Sequence, residues 1–220
     1  MAIIHFIVFS AIALFSFSVW QLIVAHFVVT EQVYFFSIAF ACALIYCLIR
    51  NRSTMWNTFW HELAHVFWLR VFWKPVAGIL VTIFGGGTAT PPSEGRFSKP
   101  FIYLAPYFFP IPVLILVIIK KFLNENYIVY AAAAMGFFLA IYYYDQIRSL
   151  RVGQPDIKVI HPLFSYLVIL IMHSLFLSLI IISLLDQHAF MEYYSVAAYN
   201  IYENYIEPIV GGQEVLIGNK

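Results

Sequence analysis

The run Trp56-Asn57-Thr58-Phe59-Trp60-His61-Glu62-Leu63-Ala64-His65-Val66-Phe67-Trp68-Leu69 decides how the rest of the chain is read. On a helix, residues four apart lie on one face, one turn from each other. His61 and His65 can therefore turn both imidazoles toward a single metal ion. Glu62 falls on an adjacent face, near enough to take a proton from the attacking water without being a ligand. Two histidines and a carboxylate at this spacing are the apparatus of metal-assisted hydrolysis. The pattern is short and also arises by chance, but its flanks weigh against chance. From Ser53 to Leu69 the only charged side chain is Glu62. An ionisable group at membrane depth costs roughly 2.5–3.5 kcal/mol on insertion scales and marks a functional position.

Composition fixes the setting of that run. Of 220 residues, 63% are hydrophobic and 10% charged, and mean hydropathy is +0.86. Soluble domains carry about 25% charged residues, so this is the composition of an integral membrane protein in contact with a lipid bilayer. A formal net charge of +1 gives no basis for nucleic-acid binding. Cys42 and Cys47 share one apolar segment and read as buried thiols rather than a disulfide or a metal pair.

Upstream of the motif lie two apolar runs. Residues 3–25 lack the basic start and small-residue cleavage site of a secretory signal, and read as a first transmembrane helix. Val33–Ile49, closed by Arg50 and Arg52, reads as a second. The motif helix itself, N-capped by Ser53 or Thr54, should end near Arg70, Lys74 and Pro75. Downstream, Val76–Phe84 is nine apolar residues rich in β-branched types, too short to span as a helix, and Gly85-Gly86-Gly87 stops it. It reads as a strand or re-entrant segment beside the site, its backbone open to an extended substrate, or else as a loop dipping into the interface.

Residues 88–99 read as a polar loop. Pro100–Ile119 is a further span, kinked or partly unwound by Pro106, Pro110 and Pro112. Tyr127–Tyr144 follows with Asp145 at its end, then a polar connection over 148–161, then Leu163–Leu185 as the last clear span. In the tail, Phe190, Tyr194, Ala197, Ile201 and Tyr205 form a helical stripe. That stripe marks an amphipathic helix lying in the interface, or a partner-binding element. The expected fold is thus an all-α polytopic membrane protein of about five to six transmembrane helices, with a short re-entrant β-like segment after the motif helix. Its expected parts are two N-terminal transmembrane helices in 1–52, a membrane-embedded core in 53–185 and an interfacial tail in 186–220.

A zinc site of this kind takes three protein ligands and leaves a fourth position open. The downstream candidates are Asp145, Asp156, His161, His173 and His188. Asp145 lies one turn before Arg148, where a helix-end ion pair accounts for it. Asp156 follows Gly153-Gln154-Pro155, a turn-like approach able to aim it inward; pairing with Lys158 or solvent accounts for it otherwise. On chemistry alone the two aspartates are nearly level.

The His61-Glu62-Leu63-Ala64-His65 helix is followed by Gly85-Gly86-Gly87-Thr88, by the proline-broken Leu104-Ala105-Pro106-Tyr107-Phe108-Phe109-Pro110 and by a late aspartate. In this it resembles the site-2 protease family of intramembrane zinc metallopeptidases, over roughly residues 53–165. The resemblance implies Zn2+ as cofactor, His61, His65 and an aspartate of a later membrane segment as ligands, and Glu62 as catalytic base. Gln154-Pro155-Asp156-Ile157 is more similar to the family's second motif than Tyr144-Asp145-Gln146, which favours Asp156, although the Leu-Asp-Gly form of that motif is absent. The activity implied is hydrolysis of peptide bonds in membrane-embedded or membrane-proximal protein substrates, as in regulated intramembrane proteolysis. The expected location is multi-pass in a bacterial cytoplasmic membrane. Two other classes compete. A catalytically silent scaffold or partner-binding subunit is disfavoured by the intact Glu62. A transporter is disfavoured by the lack of an internal repeat and by the strict i, i+4 histidine pair.

Overall fold

In the order of the chain, a computed structural model describes residues 2–50, 55–82, 85–89, 95–152, 155–158, 160–185 and 190–208. The apolar helices α1 (Ala2–Ala25) and α2 (Glu31–Arg50) come first, and α3 (Met55–Val71) carries the motif. A hairpin of β1 (Gly78–Thr82) and β2 (Gly85–Ala89) follows, then α4 (Lys99–Phe108) and α5 (Ile111–Lys120). The chain continues through α6 (Glu125–Val152), the single-turn α7 (Pro155–Lys158), α8 (Pro162–Leu185) and α9 (Phe190–Ile201), which runs into a π-helical turn at Tyr202–Ile206. The expected caps Ser53 and Thr54 and the segments 90–94 and 209–220 lie outside the described residues.

Four helices, α1, α2, α6 and α8, are long and apolar enough to cross a membrane. The pair α4 and α5, bent by 75° at its break, makes a fifth span if counted as one. Val24, Ile49 and Leu170 on these helices are 73%, 81% and 67% exposed, outward faces suited to lipid. This build is compatible with a multi-pass membrane protein, with four or at most five spans among the described residues against the five to six expected. The motif helix α3, with 17 residues, is short of the ~20 needed to span.

Small residues set the tightest helix contact. A Cβ added at Gly136 of α6 would stand 2.2 Å from the carbonyl oxygen of Phe36 on α2. Ala132 and Ala140, one turn to either side, are fully buried. Small residues at every fourth position let helices approach closely where no water drives them together. Helix α8 is held to α1 by polar contacts: the Ser16 and Ser174 hydroxyls bond at 2.8 Å, and Trp20 Nε1 donates to Ser174 Oγ at 2.8 Å. The last carbonyls of a helix have no partner within it, and those of α8 find theirs in neighbours. The Thr30 hydroxyl, which caps α2 by accepting from the Val33 N–H, donates to the Leu184 carbonyl at 3.1 Å. The buried Lys120 Nζ donates to the carbonyl of Ser183.

Several elements differ from the sequence reading. Gly85-Gly86-Gly87 does not end the strand but forms the second one, paired antiparallel with β1 through Leu80–Gly87 and Val81–Gly86. Helix α6 continues to Val152 rather than stopping at Tyr144, so Asp145 and Arg148 lie inside it. Charge marks where a helix leaves an apolar layer, not where its hydrogen bonding stops. Cys47 is buried but Cys42 is exposed, because residues five apart on a helix face different ways. In α9, Tyr194 and Ala197 pack with Val19, Ile23 and Ile182, and the Tyr194 and Ser178 hydroxyls bond at 3.1 Å. Part of the tail's stripe is therefore turned onto α1 and α8. The side chains of Phe190 and Tyr205 lie outside the described residues.

Candidate metal centre

Helix α3 presents His61 and His65 on one face, their ring centroids 5.1 Å apart. It ends where Trp73 takes a positive φ of 56°. There the Lys74 N–H bonds the Leu69 carbonyl and the Trp73 N–H the Arg70 carbonyl, a Schellman closure with tryptophan in the place glycine usually fills. The buried Ala64 packs in one core with Leu104 of α4, and Leu69 is also buried. Asp156 arrives from the single turn α7, which starts at Pro155, a residue pre-set for a first helical position. Its neighbour Ile157 is buried in the core with Ala64, Leu104 and Val168, and the Ile157 carbonyl accepts from Ser165 Oγ at 3.2 Å. Pinned so, α7 turns Asp156 toward the histidines.

Asp156 Oδ2 stands 3.5 Å from His61 Nε2 and 3.6 Å from His65 Nε2. Both separations are longer than a well-formed N–H···O bond of about 2.7–3.2 Å. The three ligand atoms all lie within 4.8 Å of one another, a group able to hold a metal ion. Burial pushes the Asp156 carboxyl up, but the two imidazoles outweigh it and hold the group well below the usual carboxylate range. A carboxylate must be charged to ligate, and the lowered pKa favours that form.

The proline-broken segment orients one of the ligands. In a helix each carbonyl accepts from the N–H four residues on. The N–H that Ile102 would use belongs to position 106, and Pro106 has none. The freed Ile102 carbonyl accepts instead from His65 Nδ1 at 2.8 Å. A carbonyl can only accept, so Nδ1 carries the proton and Nε2 is the nitrogen turned to Asp156. The same logic repeats one turn later: Pro110 frees the Pro106 carbonyl, and Gln146 Nε2 of α6 donates to it at 2.6 Å.

Glu62 is 5% exposed and lies under the hairpin. A Cβ added at Gly86 would meet Glu62 Oε1 and Cγ at 2.8 Å and Thr58 Cγ2 at 2.7 Å. Only glycine lets β2 approach the motif helix this closely. Tyr107, the residue after Pro106, meets His61 edge to face at 5.7 Å and 86°.

The other sequence candidates are elsewhere. Asp145 is hydrogen-bonded by the side chain of Asn57 on α3 and interacts with Arg148; it is not in the metal group. His173 bonds the Tyr143 hydroxyl at 2.5 Å and stacks on Tyr142. His161 is exposed and outside the group, and His188 lies outside the described residues. Sequence reasoning did not single out Ile102 or Gln146, and it named Gly86 and Tyr107 only within longer stretches. The proline spacing at 106 and 110 carried the signal for the first two, since it names the carbonyls left without helical partners. No protein-family model, curated protein or solved structure matches the chain.

Proposed function

We propose that this chain is an intramembrane zinc metallopeptidase, with His61, His65 and Asp156 as ligands and Glu62 as general base. The observation that carries the reading is the convergence of two imidazole nitrogens and one carboxylate oxygen beside a buried glutamate. Ligand atoms each about 2.0–2.2 Å from one tetrahedral zinc stand roughly 3.3–3.6 Å apart, and the two separations to Asp156 are 3.5 and 3.6 Å. A nitrogen-nitrogen-oxygen donor set with an open fourth position is that of catalytic rather than structural zinc. Held by these three residues, a zinc ion would lower the pKa of its water from about 15.7 to near 7.

The chain's own groups do the rest. Glu62 takes the proton as the water oxygen attacks a peptide carbonyl, and passes it to the amide nitrogen as the C–N bond breaks. The products are a carboxylate and an amine. A substrate helix must unwind locally, because its carbonyls are otherwise engaged. The hairpin over Glu62 offers a strand edge for the unwound segment to pair with, and Ile79 and Leu80 on it are exposed.

The test is to express the chain and Glu62→Gln in a host membrane and map new protein termini. Termini within or beside transmembrane segments, made by wild type and absent with Glu62→Gln, are the expected result. A scaffold or partner-binding role predicts no Glu62-dependent termini, and that outcome would refute the peptidase reading.

A further inference from the structure

Buried polar atoms without partners call for an explanation. Among the described residues they include Tyr107 Oη, on a side chain only 2% exposed. The others of this kind are at Gln32, Trp68, Tyr142 and Gln146. Tyr107 packs edge to face on His61 of the metal group. Its phenol also feels the carboxylates of Asp156 and Glu62. The residue is held from behind, because the Pro106 carbonyl just before it is fixed by Gln146. The ring lies edge to face with His61, and among the described residues its buried hydroxyl has no hydrogen-bond partner.

Among the described residues, neither the metal group nor Glu62 supplies a proton for the substrate carbonyl. Attack on a carbonyl places negative charge on its oxygen, and donors aimed at that oxygen are commonly the largest electrostatic contribution to rate. Asp156 and Glu62, as carboxylates, only accept. His61 and His65 direct Nε2 to the group they form with Asp156.

We propose that Tyr107 is a further catalytic residue, whose hydroxyl donates a hydrogen bond to the substrate carbonyl oxygen as it becomes an oxyanion. This rests on the metallopeptidase reading above. No bond to Tyr107 forms or breaks, and the phenol keeps its proton throughout.

The test uses full-length protein in detergent, loaded with Co2+, and the probe acetohydroxamate, whose chelating oxygens stand where the attacked carbonyl would. Binding is read from the cobalt visible spectrum. Tyr107→Phe removes one oxygen and nothing else. It should keep the cobalt stoichiometry and the melting midpoint of the metal-free protein, since the hydroxyl has no partner to lose. It should weaken acetohydroxamate about tenfold, one hydrogen bond to a charged oxygen. Equal affinity within twofold, with cobalt bound, overturns the tyrosine assignment and leaves the metallopeptidase reading standing. A lowered metal-free midpoint with lost cobalt also overturns it, because the phenol then serves only the fold. If wild type itself takes up no cobalt, the metal reading falls and the assignment with it.

Discussion

His65 Nδ1 donates to the carbonyl of Ile102 at 2.8 Å, a carbonyl open because Pro106 supplies no helical N–H. One proline on α4 thereby sets the tautomer of a histidine on α3. Pro106→Ala returns a competing donor to that carbonyl. Partners of this type are worth about 10–100-fold in metal affinity, and about tenfold weaker zinc binding is expected, read by competition with a chelating dye. Alanine is the better helix former by about 3 kcal/mol, so melting should not fall. Unchanged affinity would show that His65 is oriented by other contacts.

Gly86 packs against the proposed base, Glu62. An added methyl would sit 2.8 Å from Glu62 Oε1 and 2.7 Å from Thr58 Cγ2, and the carboxylate is the group able to swing away. Gly86→Ala should keep its metal and lose at least about tenfold in peptide cleavage, as a displaced general base implies. Retention of full turnover would mean that Glu62 tolerates the shift.

Gly136 is a purely structural counterpart. Backbone atoms of Phe36 lie 2.2 Å from an added Cβ and cannot rotate away as a side chain can. Gly136→Ala should destabilise the protein by about 2–4 kcal/mol, an overpacking penalty at the upper end, seen as a lower unfolding midpoint. The folded fraction should bind metal as wild type does, because α2 and α6 meet away from the ligands. A midpoint equal to wild type would contradict the packing described.

Acid should strip the metal through the histidines. Imidazole ligates only when neutral, and its ordinary pKa is about 6.5; burial pushes His65 down, but Asp156 and the Ile102 carbonyl outweigh it and raise it. Asp156 is not the sensitive group, since its carboxyl is held below the usual carboxylate range. Stability from that depressed carboxyl is fully present above about pH 4 and is lost only as pH falls through its folded value. Metal occupancy, followed by equilibrium dialysis, should therefore fall between about pH 7 and pH 5. Full occupancy retained at pH 4 would be inconsistent with two histidine ligands.

The spans and the ligand pair were legible because each depends on residues close in sequence. Apolar runs mark α1, α2 and α8, and i, i+4 spacing marks His61 and His65. Prolines 106 and 110 marked the bend between α4 and α5. What was hidden depends on distant approach. Gly85-Gly86-Gly87 reads as a strand breaker by propensity, yet it pairs with β1 as a strand, and at Gly86 Glu62 and Thr58 leave no room for a side chain. Asp145 and Asp156 were level on local chemistry. Asn57 and Arg148 take up the first, and the burial of Ile157 aims the second. Tyr107 sits in an apolar run, where nothing local distinguishes it from its phenylalanine neighbours.

The most direct test of the central claim is the metal content of the detergent-purified protein, wild type beside His65→Ala, Asp145→Ala and Asp156→Ala. The account predicts about one zinc per chain, retained in Asp145→Ala and lost in the other two. Wild type that carries no metal even after zinc is supplied, or Asp156→Ala that keeps it, would contradict the account.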